Sequence, residues 1–457
     1  MPEVVSILNY LGIYFPKNFS TFMSIISSLL CMSGQKTMLN ISRWSEFSYK
    51  TIERFFDRDI PWLEMNLKLI MILGFLNSEL LISSDETTVS KSGKKTDGLE
   101  YFFSSILQKP VKSLCFSGFS LINAEKKRSY PLFINQMIYT DEEKEMLKTK
   151  KEKRKKSKGG KVGRPKGSKN NKKKNIMAPT FRLLKEQFEQ LSKSLTLKIK
   201  YFVADGKYGN NTCVRICKDF GYHLISKLQY NSALYFKFTG EYSGRGRTRI
   251  YGDKLDYKNI PGKYLVSEKQ EKNSINRIYQ IKSILNKSFD SELNVVIVQK
   301  ITPKKVAHVL FFSTDLTLNY QKIIDYYSAR FQIEFNFRDA KEFWGLEDFM
   351  NTKEERIHNA ANLAFFMVNL SLFLLDKFRA INHNPASGIR DLIASYRADK
   401  YYQETLKLVL KFNPHILIPN DNLSIISIGH IHLSEKYTDT HNFKHKYTTQ
   451  LKPLTIW

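Results

Sequence analysis

An α/β fold is predicted, with a mixed-sheet core, a β-rich insertion within it, and helical regions before and after it. Three observations lead there. From about residue 80 the hydrophobic period switches from helical to alternating, in ELLISSDETTV, KSLCFSGFSLINAE and SYPLFINQMIYT. Helix-like and strand-like stretches then alternate through residue 227. Residues 228–306 break that rhythm with short alternating runs rich in Tyr, Lys and Arg (RTRIYG, KYLVSE, NRIYQIKSI, NVVIVQK), before an apolar strand, HVLFFSTD, and a further helix.

At 457 residues the chain exceeds one simple core. Its apolar content, 42%, is ordinary, but a net charge of +28 is not: it calls for a polyanionic partner, most simply nucleic acid. MPEVVSILNYLGIYF lacks the basic start and small-residue cleavage site of a secretory signal, which fits a cytoplasmic protein. The apolar run ANLAFFMVNLSLFLL (361–375) is shorter than a spanning helix requires and carries Asn362 and Asn369, so a buried helix is expected and no membrane partner. Cys31, Cys115, Cys213 and Cys217 form no CxxC pair and read as small buried hydrophobes in a reducing compartment. His430 and His432 can share a strand face but lack a third ligand.

Residues 1–78 form the first region. FSTFMSIISSLLCM has helical spacing and stops before Gly34. KTMLNISRW and YKTIERFF follow, separated by SEFS, where Ser48 can cap the second. Helix, short turn, helix with Lys50 and Arg54 exposed resembles a DNA-reading helix-turn-helix, a pattern that small helical bundles also produce.

Residues 79–227 open with the three-strand meander, turning at EKKR. In its first strand Leu81, Ser83, Asp85, Thr87 and Val89 share a face and Glu86 takes the other, so one acid of the pair can address a given site. Asp85 is favoured because Leu81 and Val89 set its face against a core. A basic loop, 150–175, follows. From 151 to 174 there are thirteen Lys or Arg against one acid, Glu152, with almost nothing apolar, so no core can form and mobility is expected. Gly163-Arg164-Pro165-Lys166 resembles an AT-hook for the A·T minor groove; the alternative is a solvated loop gripping phosphates without preference. Either binds polyanions in a salt-dependent way. A helix (about 176–194) precedes LKIKYFVADGKYGNN, a buried strand ending in Asp205 and a glycine turn; YGNNTCVRICKDFGY is then helical and HLISKL a strand.

After the insertion, residues 307–380 hold YSARFQIEFNFRDAK, and 381–457 form a C-terminal helical region. Steps of three and four residues put Tyr327, Arg330, Glu334, Arg338 and Lys341 on one face of a helix. An exposed salt-bridged face is one reading, each pair contributing only about 0.2–0.5 kcal/mol. The other is a glutamate among phosphate-gripping groups. Asp85 in one strand, Asp205 at the end of another and Glu334 on a helix can together hold two hard divalent cations for in-line phosphoryl displacement. Arg330, Arg338 and Lys341 would then hold DNA phosphates, and Tyr327 would donate or stack.

Tyr327, Arg330, Glu334 and Lys341 match the Y-x2-R-x3-E-x6-K signature of bacterial DDE transposases of the insertion-sequence-four family. VADGKYG resembles that family's second-aspartate motif, with Asp205, Gly206 and Tyr208, and ISSDETTVSKSGKKTDGL its first-aspartate region, with Asp85. The three acids come in family order, 120 and 129 positions apart, and the resemblance covers roughly 40–380. It implies a ribonuclease-H-like core, Mg²⁺ at Asp85, Asp205 and Glu334 (two ions, with Mn²⁺ able to substitute), and contact of Tyr327, Arg330 and Lys341 with the transposon-end backbone. It also implies an N-terminal domain for terminal inverted repeats and C-terminal helices that pair subunits as a homodimer. Arg338 is added from helical geometry alone. One departure stands out: relatives that form a hairpin intermediate stack a flipped base on a tryptophan of the insertion, and none of Trp44, Trp62, Trp344 and Trp457 lies in 228–306. A Tyr or Phe would have to serve there.

The expected function is cut-and-paste transposition of an insertion sequence, on double-stranded DNA of its ends and target, at the bacterial nucleoid. Two rivals are a catalytically silent DNA-binding derivative and a structure-specific nuclease on the same core.

Overall fold

A computed structural model describes residues 2–72, 74, 79–104, 107–157, 177–242, 244, 246–271 and 273–412. These fall into two compact units, one drawn from 1–73 and 338–457, the other from 74–337. The first begins with five helices: α1 (Pro2–Asn9), α2 (Phe19–Cys31), α3 (Met38–Trp44), α4 (Tyr49–Phe56) and α5 (Trp62–Ile72). Thr37 and Ser48 cap α3 and α4, each accepting a backbone N–H three residues on, as the Ser48 position in the sequence leads one to expect.

The second unit is built on one sheet. β1 (Leu80–Ser90), β2 (Glu100–Ser104), β3 (Lys109–Asn123) and β4 (Arg128–Gln136) form an antiparallel group: β1 pairs with β3 from Leu80↔Asn123 to Ser90↔Ser113, and β2 and β4 each pair with β3. The short β2 has no counterpart in the expected meander. Helix α6 (Asp141–Ser157) follows and runs through the first residues expected as loop; the rest of that loop, with Arg164 and Lys166, lies outside the described residues. Asp141, Glu142 and Glu143 in the first turn of α6 favour it, opposing the helix dipole. Helix α7 (Pro179–Ser194), β5 (Tyr201–Val203), α8 (Asn211–Asp219) and β6 (His223–Leu228) come next, β5 lying parallel to β1 and β6 parallel to β5. The order β4-β3-β1-β5-β6, three antiparallel strands followed by two parallel ones, is that of a ribonuclease-H-like core.

The insertion is not a separate sheet. After β7 (Leu234–Lys237), β8 (Tyr251–Lys254) and β9 (Leu265–Glu271), strands β10 (Ser274–Asn286), β11 (Leu293–Ile301) and β12 (Val306–Ser313) carry the core sheet onward, because β12 pairs antiparallel with β6 from Leu310↔Leu228 to Ser313↔Ile225. β11 is a near-continuous apolar run whose first five residues are all buried. Helices cover both faces of the core. On one, α7 packs Phe188 against Phe119 and Phe202, and Gln187 exchanges two hydrogen bonds with Ser117. On the other, α9 (Tyr320–Ala329) sets Ile323, Tyr326 and Tyr327 against Leu81, Val203 and Ile225.

Helix α10 (Gln332–Glu342) spans the division between the units, and α11 (Glu354–Asn382) and α12 (Ile389–Phe412) complete the first. Within that unit Phe15, Phe22, Phe55 and Phe366 form an aromatic cluster. Asn359 of α11 accepts from Trp62 Nε1 at 2.7 Å and donates to the carbonyls of Phe56 and Arg58, which end α4, so its polar group is satisfied in the core. The apolar run expected at 361–375 belongs to a longer helix than anticipated, long and apolar enough by length and composition to cross a membrane. Even so, 78% of its most apolar window is buried in the fold. All four cysteines are buried and unpaired. His430 and His432 lie outside the described residues.

Candidate active site

Strand register sets two of the acids. Ser83 of β1 is paired with Val203 of β5 in parallel, and Asp85 and Asp205 each follow two residues further along, near enough for the charge of Asp205 to act on Asp85. Asp85 lies within β1, on the face that Leu81 shares, and its Oδ1 accepts the Glu86 N–H at 2.8 Å. Asp205 lies just past β5, where it caps a short 3₁₀ turn, its Oδ1 accepting the Lys207 N–H at 3.0 Å. Ser226 of β6 donates to the Asp205 carbonyl at 2.7 Å and ties the turn to the sheet.

The third acid arrives on a broken helix. The helix expected over residues 327–341 is interrupted, α9 ending at Ala329 and α10 starting at Gln332, although Arg330 still meets Tyr327 and Glu334. Between them the chain tightens into hydrogen bonds three residues apart: Phe331 N–H to the Ser328 carbonyl, Ile333 to Arg330, Glu334 to Phe331. This resets the phase, since a turn of three residues advances side chains differently from one of 3.6. Arg330 sits at the junction, 13% exposed. Its Nη1 donates to Asp85 Oδ2 and its Nη2 to Glu334 Oε1, each at 3.1 Å. Asp85 and Glu334 therefore meet on one guanidinium.

The electrostatics follow from this crowding. Burial pushes the Asp85 carboxyl up to about 6; the Glu86 N–H and Arg330 oppose the rise, and the charges of Asp205 and Glu334 add to it. Arg330 is held above its usual range: burial works against its charge, but Asp85, Tyr327 and Glu334 outweigh it. One guanidinium is thus too little positive charge for the burial and the two like charges acting on Asp85. Burial also raises the Tyr327 phenol, with Arg330 opposing. The Tyr327 ring packs against Phe311, centroids 4.9 Å apart, and Lys227 Nζ stands 4.9 Å from its centre.

Lys207, Gly209 and Lys227 shape the site without having been singled out from the sequence, and Tyr208, named there only within a motif, joins them. Lys207 reaches Glu86 at 2.6 Å, so the residue after Asp85 and the second residue after Asp205 are joined by an ion pair. Tyr208 is buried and held well above the usual phenol range by burial and then by Glu86 and Asp85. Gly209 approaches β6 so closely that a Cβ there would lie 2.1 Å from the Lys227 carbonyl oxygen. The available signal for Lys227 was alternation: in HLISKL it shares a face with Ile225, which packs under α9.

Of the other candidate DNA contacts, Arg338, Lys341 and Lys50 have partners of their own. Arg338 donates to Asp339 at 2.9 Å, and Lys341 pairs with Glu347 at 2.8 Å; both belong to the first unit. So do Lys50, paired with Glu53 at 3.0 Å, and the exposed Arg54, on α4.

Hard oxygen donors in the numbers a Mg²⁺ site uses are present in Asp85, Asp205 and Glu334, and the pressure on Asp85 favours added positive charge, so the residue types fit a divalent cation. Among the described residues, though, no three His, Cys, Asp or Glu side chains are gathered into a ready metal cage. Arg330 holds the place between two of the three.

Comparison with known families adds a finding of its own. The family described as DDE superfamily endonuclease matches residues 17–283, more than half of the chain; the match takes in Asp85 and Asp205 and stops before α10. Among curated proteins none matches. On that match, and with the sheet order that sets β1 beside β5, the chain belongs to the DDE superfamily of endonucleases.

Proposed function

We propose that this chain is the transposase of an insertion sequence, binding terminal inverted repeats and moving the element by cut-and-paste strand cleavage and transfer at the bacterial nucleoid. The observation that carries the reading is Asp85 and Asp205 following paired positions of β1 and β5, with Glu334 joined to Asp85 through Arg330, in a chain of the DDE endonuclease superfamily. Asp85, Asp205 and Glu334 would hold Mg²⁺, or Mn²⁺ in its place, and the bound cations would lower the pKa of an attacking hydroxyl and neutralise charge on the scissile phosphate. Around them Lys227 and Arg330 supply positive charge for the DNA backbone, and Tyr327 closes the apolar side of the site. Lys207, by holding Glu86, keeps the Asp205 turn against β1. The reaction proceeds by hydrolysis at an element end, then attack of the freed 3′-hydroxyl on target DNA. Helices within 1–78, with Lys50 and Arg54, would read the ends; 381–457 would pair subunits; Arg338 and Lys341 would add phosphate contacts.

Purified protein, Mg²⁺ and labelled duplex carrying both borders of its own gene test this. Paired cuts at inverted repeats are expected, leaving 3′-hydroxyls. Asp85→Asn, Asp205→Asn and Glu334→Gln should abolish cutting and leave DNA binding intact. Tight binding without cuts, in Mn²⁺ as well, would replace this reading with that of a DNA-binding derivative.

A further inference from the structure

We propose that Arg330 is the internal counter-cation of the acidic site, which an incoming divalent cation displaces and thereby frees to bind a DNA phosphate. The assignment rests on the metal-dependent reading above. Three observations carry it. The guanidinium donates to Asp85 and Glu334 at 3.1 Å each, between two of the oxygen groups a cation would take. It is 13% exposed, and its Nε is buried without a hydrogen-bond partner, so the present arrangement leaves one donor unsatisfied. Finally, Arg330 stands at the junction of α9 and α10, where the helical hydrogen bonds change spacing and a change of side-chain direction need not carry a whole helix with it.

The charges near the site from each element packed on it are Asp85 and Glu86 of β1, Asp205 and Lys207 of the turn after β5, Lys227 of β6, and Arg330 and Glu334. Arg330 alone among these cations pairs with both Asp85 and Glu334 in the structure. A divalent ion and a guanidinium cannot share the same oxygens without repulsion, so binding of one costs the other its partners. Once released, the planar fork suits a phosphate. Metal and DNA then bind cooperatively, and by linkage each raises the affinity of the other by the same factor, typically about 5–150-fold.

The test is calorimetric titration of Mn²⁺ into DNA-free protein, wild type against Arg330→Gln and Arg330→Lys. It is paired with anisotropy measurements of duplex DNA binding with and without Ca²⁺ at matched ionic strength. Arg330→Gln should bind Mn²⁺ at least several-fold more tightly than wild type, because nothing has to be displaced. It should also lose the gain in DNA affinity that Ca²⁺ gives wild type. Arg330→Lys, a single point charge, should fall between them and serves if the glutamine variant does not fold. Equal or weaker Mn²⁺ binding by a folded variant, or an undiminished Ca²⁺ effect on DNA, overturns the counter-cation role and leaves the metal reading standing. If wild type and variants alike take up no Mn²⁺, the metal-dependent reading fails, and this role with it.

Discussion

Burial, helped by the charges of Asp205 and Glu334, favours the protonated form of Asp85 against the Glu86 N–H and Arg330. A carboxyl raised from an ordinary value near 4 to about 6 differs by about 3 kcal/mol between its two protonation states. The sign is set by which state binds more protons. Between about pH 4 and 6 the unfolded chain has lost this proton and the folded chain keeps it, so metal-free stability falls as pH rises through that window and levels off above it. Urea unfolding of metal-free wild type and Asp85→Asn at pH 4.5 and 7 measures the difference. Wild type should lose about 2 kcal/mol more than the variant across the interval, the part of the full span that lies above pH 4.5, and a gap that stays constant with pH would remove the electrostatic account. Asp315 has the opposite sign. Burial would raise it, but hydrogen bonds from Lys200, Thr317 and Tyr201 reverse this and hold it well below the usual carboxylate range. Its share of stability is present above the unfolded value and is lost only as acid is added. Asp315→Asn should therefore flatten the acid limb of the unfolding curve.

At the scale of elements, the turn after β5 has the least room. Any side chain at Gly209 meets the backbone of β6, which cannot rotate away as a side-chain tip can. Gly209→Ala should cost about 1–3 kcal/mol of stability by overpacking. It should also reduce cleavage beyond what lost stability explains, since the displaced turn carries Asp205; thermal melts and cleavage rates on one preparation separate the two. Elements also show what was legible in the sequence. The strands that carry Asp85 and Asp205 were readable because period-two alternation and a glycine turn are local signals. The break at Arg330 was not. YSARFQIEFNF continues a helical pattern without Pro or Gly, and Arg330 at the interruption meets Asp85, far away in sequence. The pairing of Arg330 with Asp85 was hidden as well, because the two lie 245 residues apart. Helix α6 was hidden under charge: its lysines look like loop, and its acidic first turn is what a helix start requires.

On the scale of the whole molecule, charge is the dominant sequence signal. A variant lacking 151–174 gives up thirteen cations. It should bind duplex DNA more weakly, and the slope of log affinity against log salt should become shallower; an unchanged slope would mean that the segment does not meet DNA. The insertion was legible as β-rich from its alternating runs, but its attachment was not, because β12 finds β6 across nearly eighty residues. That attachment has a consequence for how the unit opens. β11 is hydrogen-bonded on both sides, by β10 and β12, and β12 is bonded to β6 of the core. Core and insertion are one ladder, so neither can expose its amides to deuterium by swinging away from the other. Backbone exchange at Val295–Ile297 should be about as slow as at Leu81–Ser83 of β1, and both should quicken together in denaturant, as parts of one cooperative unfolding unit.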